Sequence, residues 1–132
     1  MEVEGRCHCG KISYQATVEP DTVSICHCTD CQTLTGSAFR AVIVAPAESF
    51  VIRETPKIYV KTAESGNRRA HAFCGECGSP IYASAVSNPT TYSLRVGTIK
   101  QRAQLRPRLQ IWCRSALPWS TDLRALDKHE RQ

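Results

Sequence analysis

No window of this sequence approaches the roughly 18 consecutive apolar residues that a membrane-crossing helix requires. The opening residues, Met1-Glu2-Val3-Glu4-Gly5-Arg6, are acidic and lack the apolar run of a secretory signal. Internal repeats and low-complexity tracts are missing, and helical periodicity is almost absent. Basic residues are scattered rather than interleaved with aromatics, so the stacking-and-phosphate pattern of a nucleic-acid binder is not there. These absences set the first expectations: one domain spanning residues 1–132, with neither membrane nor nucleic acid as partner.

What the chain has in quantity is cysteine, eight in 132 residues. They fall as Cys7 and Cys9, then Cys26, Cys28 and Cys31, then Cys74 and Cys77, with Cys113 alone. Three thiols within Cys26-His27-Cys28-Thr29-Asp30-Cys31 can be aimed at one point by a single turn. Neighbours at C-x-C spacing bridge each other poorly, so a metal ion, zinc first, suits them better than a disulfide. Clustered thiols of this kind belong in a reducing compartment, which makes the cytoplasm the expected location. The formal charge of +5 counts every cysteine as neutral. Seven thiolates on two divalent ions lower it to about +2, which weakens any case for nucleic acid drawn from charge alone.

Between the cysteines, the pattern is that of strands. Lys11 to Val18 alternates, with Ile12, Tyr14, Ala16 and Val18 on one face. Val23 to Ile25 leads into the Cys26 turn, and Asp30 to Leu34 makes one helical turn ended near Gly36. Phe39 to Val44, Phe50 to Arg53 and Lys57 to Val60 are β-branched and aromatic runs, separated by turns at Pro46 and Pro56. Ser65-Gly66-Asn67 reads as a hairpin loop returning into Arg68 to Phe73. Ile81 to Ala85, Tyr92 to Val96 and Leu109 to Trp112 complete an all-β domain of several short antiparallel strands.

Seven clustered thiols divide into a closed set of four and an open set of three. Pairs distant in sequence make good structural sites, because the metal closes a long loop. That joins Cys7 and Cys9 to Cys74 and Cys77 and leaves Cys26, Cys28 and Cys31 with a vacant fourth position, the mark of a reactive zinc. Spacing also permits Cys7 and Cys9 with Cys28 and Cys31, which would leave Cys74, Cys77 and Cys26 together.

Gly5-Arg6-Cys7-His8-Cys9-Gly10, Cys26-His27-Cys28-Thr29-Asp30-Cys31-Gln32 and Phe73-Cys74-Gly75-Glu76-Cys77-Gly78-Ser79-Pro80 resemble the glutathione-dependent formaldehyde-activating enzyme family. Leu94-Arg95-Val96-Gly97-Thr98-Ile99, Arg106-Pro107 and Pro118-Trp119 extend the likeness over nearly the whole chain. The resemblance implies a zinc-stabilised fold similar to Mss4, with two zinc ions per chain. Cys7, Cys9, Cys74 and Cys77 would hold a structural ion, and Cys26, Cys28 and Cys31 the catalytic one. It further implies a carbon–sulfur lyase that condenses a small thiol such as glutathione with formaldehyde or a related aldehyde, of the S-(hydroxymethyl)glutathione synthase type. Three thiolates leave a divalent ion with a formal charge of about −1, so a guest thiol suits its fourth position better than water. The competing reading is a non-catalytic, zinc-stabilised binding module, since fold does not carry function.

The remaining candidates are assigned more modest roles. Cys113 is expected as a small buried residue at the end of its strand, the alternative being a fourth ligand or a reactive thiol near the second ion. His8 and His27 sit between cysteines and, by alternation, point away from the metal. His71 and His129 read as ordinary strand and tail residues. Arg40, Arg68, Arg69, Arg95 and Arg114 are candidates for the glutathione carboxylates, with most expected on the solvated surface. Trp112 and Trp119 are expected in the core or its walls.

Overall fold

Alternation of buried and exposed side chains runs through several strands of this chain, and apart from Cys26 the cysteines lie outside them, in turns and short helices. The computed structural model describes residues 1–132. Its strands in order are β1 (Glu2–Arg6), β2 (Ser13–Thr17), β3 (Ser24–Cys26), β4 (Arg40–Pro46), β5 (Val51–Arg53), β6 (Lys57–Thr62), β7 (Arg68–Phe73), β8 (Pro80–Ala85), β9 (Thr91–Arg95) and β10 (Leu109–Ile111). One helix, α1 (Thr29–Thr35), lies between β3 and β4. The chain is mostly β, as expected, but not wholly antiparallel: β10 pairs parallel to β3. A long excursion through the rest of the fold separates those two strands, which is what a parallel pairing needs.

Two sheets form, a three-stranded one in the order β1-β2-β5 and a seven-stranded one in the order β10-β3-β4-β9-β8-β7-β6. β1 is not among the expected strands. Within it only Val3 is a strong strand former, and pairing to β2 over its whole length makes it one. β4 runs through Pro46 rather than turning there, with the proline at the strand's last position.

The core lies between the sheets. Val3, Tyr14 and Ala16 from the smaller sheet meet Ile43, Ala45 and Leu94 from the larger one. Phe50, Tyr82 and Tyr92 pack beside them with ring centroids 4.5 to 5.5 Å apart, within the favourable range for tilted aromatic pairs. Tyr14 lies flat over its cross-strand partner Gly5 and reaches Thr98 Oγ1 with its hydroxyl at 2.7 Å. A Cβ at position 5 would stand 2.0 Å from the tyrosine ring, so only glycine leaves room for it.

Register decides what the other face of the larger sheet carries. Cys26 is opposite Arg40, Val42 opposite Arg95, and Tyr59 opposite His71. His71 in turn is opposite Ala83, and Ala83 opposite Ser93, two residues before Arg95. With a side-chain period of two, Cys26, Arg40, Arg95, His71 and Tyr59 therefore share the face turned away from the core. α1 lies over this face, and Asp30 at its start pairs with Lys61 Nζ of β6 at 2.6 Å.

Candidate metal centre

The first cysteine cluster forms where the turn after β1 meets the turn after β7. Gly10 and Gly78 adopt φ of 83° and 77°, the left-handed conformation that folds each turn back on its thiols. Gly10 N–H donates to the Cys7 carbonyl at 3.1 Å and Gly78 N–H to that of Cys74 at 2.8 Å. The two turns are tied together by His8 N–H donating to Ser79 Oγ at 3.0 Å. As a result the sulfurs of Cys7, Cys9, Cys74 and Cys77 all lie within 4.8 Å of one another.

The spacing is compatible with a shared ion. Cys7 and Cys9 sulfurs are 3.6 Å apart, and Cys9 and Cys74 sulfurs 3.8 Å. Four sulfurs about 2.3 Å from a tetrahedral centre are separated by about 3.8 Å, whereas a disulfide needs about 2.0 Å. Charge points the same way. A hydrogen bond from Ser79 brings the Cys77 thiol down to about 5, so it is already a thiolate at neutral pH. Cys9 is pushed up to about 11: the Lys11 backbone favours its thiolate, but neighbouring thiols, Cys7 first, outweigh that. Close thiols cannot all ionise unless a cation sits among them.

The second cluster is built by β3 and the first turn of α1. Cys26 ends the strand, buried on the outer face, and Cys28 caps the helix, its sulfur accepting from Cys31 N–H at 3.3 Å. Gly36, with φ of 62°, ends the helix in the left-handed conformation. Gln32 anchors the turn by donating to the carbonyls of His27 at 2.8 Å and Ser115 at 2.9 Å. The sulfurs of Cys26, Cys28 and Cys31 lie within 4.8 Å of one another, with no fourth cysteine, histidine or carboxylate in the group. Burial, reinforced by its two neighbours, pushes Cys31 up to about 12, and burial also raises Cys26. Burial opposes ionisation of Cys28 as well, but the Cys31 N–H and the neighbouring thiols bring it below the usual thiol range. One thiol shifted towards ionisation between two shifted away from it is again a donor set suited to a cation.

The histidines between the cysteines turn away from the sulfurs. His8 is exposed. His27 is fully buried, its Nε2 2.8 Å from Gln110 Oε1 and its ring edge-on to Phe39. Cys113 is exposed, contrary to expectation, and stands outside both groups. The reason is local: β10 is an edge strand, and Trp112, with φ of 57°, swings the chain out of the sheet just before it. Trp112 and Trp119 are likewise exposed rather than in the core, and Arg114 stacks over Trp112 at 5.3 Å.

The five candidate arginines separate sharply. Arg68 and Arg114 are exposed and Arg69 half-buried, whereas Arg40 and Arg95 are only 4% and 8% exposed. Burial lowers Arg95 to about 9, with Arg40 adding to the effect. Burial lowers Arg40 too, against the pull of the Cys31, Cys28 and Cys26 thiols. Arg95 Nη2 donates to His71 Nδ1 at 3.2 Å, and burial together with Arg95 brings His71 down to about 4, so that its ring is neutral. His71 and Tyr59 were not singled out from sequence for this site. Only the strand register, which puts them on the face of Cys26, could have found them.

Beneath α1 the arginines line a cavity of about 310 Å3 together with Leu34, Tyr59, His71 and Phe73. A larger open groove of about 1080 Å3 runs along β1 and β2, bordering Cys7 and His8 and remote from the second cluster. No helix is long and apolar enough to cross a membrane.

A family model described as glutathione-dependent formaldehyde-activating enzyme matches residues 2–115. An uncharacterized lyase of Schizosaccharomyces pombe (strain 972 / ATCC 24843) is 27% identical over 99 residues, covering 75% of this chain and 69% of that protein. The crystal structure of a Rhodobacter sphaeroides protein superposes with a TM-score of 0.61 at 18% identity, over 81% of this chain and 98% of the other. That likeness concerns the fold alone.

Proposed function

The chain belongs to the glutathione-dependent formaldehyde-activating enzyme family, and from that premise we propose that it is a carbon–sulfur lyase joining a small thiol to an aldehyde. The thiol is glutathione and the aldehyde formaldehyde in the simplest form of this reading. The chain is then a single zinc-binding domain of the Mss4-like kind, working in the cytoplasm. Cys7, Cys9, Cys74 and Cys77 hold one zinc ion as a structural clamp between the two sheets. Cys26, Cys28 and Cys31 hold the second. The lyase name of the fission-yeast relative supports the reaction class.

The observation that carries the reading is the difference between the two thiol groups, four sulfurs in one and three in the other. When bound at the three-cysteine group, zinc would supply a soft position that keeps a guest thiol in its thiolate form. The residues around it supply position. Cys28 and Gln32 hold the turn rigid through their backbone hydrogen bonds, and Arg40 presents positive charge beside the sulfurs. In the reaction the thiol sulfur adds to the aldehyde carbon, the carbonyl π bond breaks, and the proton lost by the thiol ends on the new hydroxyl. Holding two reactants in line can supply up to roughly 7–11 kcal/mol, which suits a reaction that also proceeds unaided.

The test is direct. Protein carrying two zinc ions should accelerate formation of S-(hydroxymethyl)glutathione above the uncatalysed rate, followed by proton NMR of the adduct. A rate equal to background at two zinc per chain would leave the domain as a binding module.

A further inference from the structure

We propose that the cavity under α1 is a carboxylate-binding subsite, in which Arg40 and Arg95 hold an acid group carried by one of the two substrates. The inference rests on the lyase reading only for the identity of the neighbouring centre. Its own footing is a pair of buried cations that lack a protein counterion.

Neither Arg40 nor Arg95 takes part in any of the five salt bridges of the molecule. The Nε atoms of both are buried without a hydrogen-bond partner. Aspartate and glutamate are absent from the cavity lining. Buried charges are ordinarily paired, because an unpaired one forfeits its hydration with nothing in return. Three thiolates around a divalent ion offset only about one unit of charge, against two guanidinium groups. His71 does not supply the missing anion, since it is a neutral acceptor for Arg95 Nη2. What it does is fix the Arg95 side chain, leaving the remaining N–H groups of both arginines for a ligand.

The shape agrees with a short acid. At about 310 Å3 the cavity lies at the small end of ligand pockets, and Leu34, Phe73 and Pro80 give it apolar walls for a few carbons. Planar guanidinium forks match carboxylate oxygens in geometry as well as charge. Arg40 is directly opposite Cys26 across the β3–β4 pair, so an acid held here is bonded to something within reach of the second cluster. Formaldehyde has no carboxylate. The acid therefore belongs to the thiol, or to an aldehyde that is itself an oxo acid.

Calorimetric titration of the zinc-replete full chain with two matched pairs separates these sources. The pairs are 3-mercaptopropionate against 3-mercaptopropanol, and glyoxylate against glycolaldehyde. In one pair the acid should bind at least about tenfold more tightly than the alcohol, as charged hydrogen bonds to a buried cation predict. Preference in the first pair places the carboxylate on the thiol, and preference in the second places it on the aldehyde. Arg40→Met should cut that preference to within about threefold, and Arg40→Lys should keep part of it. Arg95→Met is the second variant, and zinc content with a cooperative melt certifies each fold. If Arg95→Met does not fold, the native protein and the Arg40 variants decide the matter.

Equal binding of acid and alcohol in both pairs would overturn the subsite, as would a preference that survives Arg40→Met undiminished. Acid binding without turnover would uphold the subsite and remove the lyase reading. Turnover with no acid preference would do the reverse.

Discussion

Cys28 takes part in two structures at once, as a member of the three-sulfur group and as the cap of α1. Cys28→Ala should therefore lower zinc content from two ions per chain to one and abolish condensation above background. The far-ultraviolet dichroism should change little, since the strands do not depend on this turn, and metal analysis with circular dichroism checks both outcomes. His71 offers a pH-dependent counterpart. Its folded pKa is depressed from 6.5 to about 4 by burial and by Arg95, so between those values the unfolded chain binds the proton that the folded one refuses. This residue thus erodes stability as pH falls through that window and has no effect above it. His71→Gln keeps an acceptor for Arg95 and removes the titration. Its urea midpoint should gain on that of the native protein as pH drops from 6.5 towards about 4, and parallel curves would refute the assignment. The identities of such residues are plain in the sequence, but their environments are not. Arg40 and Arg95 look like any surface arginine until the register buries them, and Cys113 looks like a core residue until Trp112 turns it out.

Among the elements, the β1–β2 pair makes the sharpest prediction. Gly5→Ala would place a methyl group 2.0 Å from the Tyr14 ring, which is itself buried between the sheets and held by Thr98. The cost of such overpacking is about 1–3 kcal/mol, read as a lower denaturation midpoint with no loss of zinc. A midpoint unchanged would mean that the ring moves freely aside. Strand β2 was legible from alternation because half of it faces the core, β4 from its β-branched and aromatic run, and β7 as the return from the loop at Ser65-Gly66-Asn67. α1 was legible as a single turn ended near Gly36 because its stop signal is local. β1 was not, since its partner rather than its own side chains makes it a strand. Nor was the parallel seat of β10, because no short-range pattern reports which strand a returning segment will join.

Across the whole molecule, a metal ion in the four-sulfur group would tie a turn of the smaller sheet to a turn of the larger one, closing a loop of 65 residues between Cys9 and Cys74. A cross-link of that span is worth about 4 kcal/mol in chain entropy alone. The three-sulfur group spans a single turn and closes almost nothing. A graded chelator titration should thus remove zinc in two stages. The first ion lost should cost activity but not the cooperative thermal transition, and the second should lower that transition steeply. Simultaneous loss of both ions and of the fold would contradict this division of labour.

The spacing of its cysteines by itself determined that this chain gathers thiols in three tight turns, because C-x-C and C-x-x-C steps converge whatever surrounds them. Its short strand-forming runs, one of them strictly alternating, by themselves determined a β domain. Only the tertiary structure decided which turns bring their sulfurs together, and which two of its many arginines lie buried without a carboxylate partner near the three-sulfur group. Alternation says that successive side chains part to opposite faces. It does not say which face becomes the core, and that choice belongs to the pairing of strands far apart in the chain.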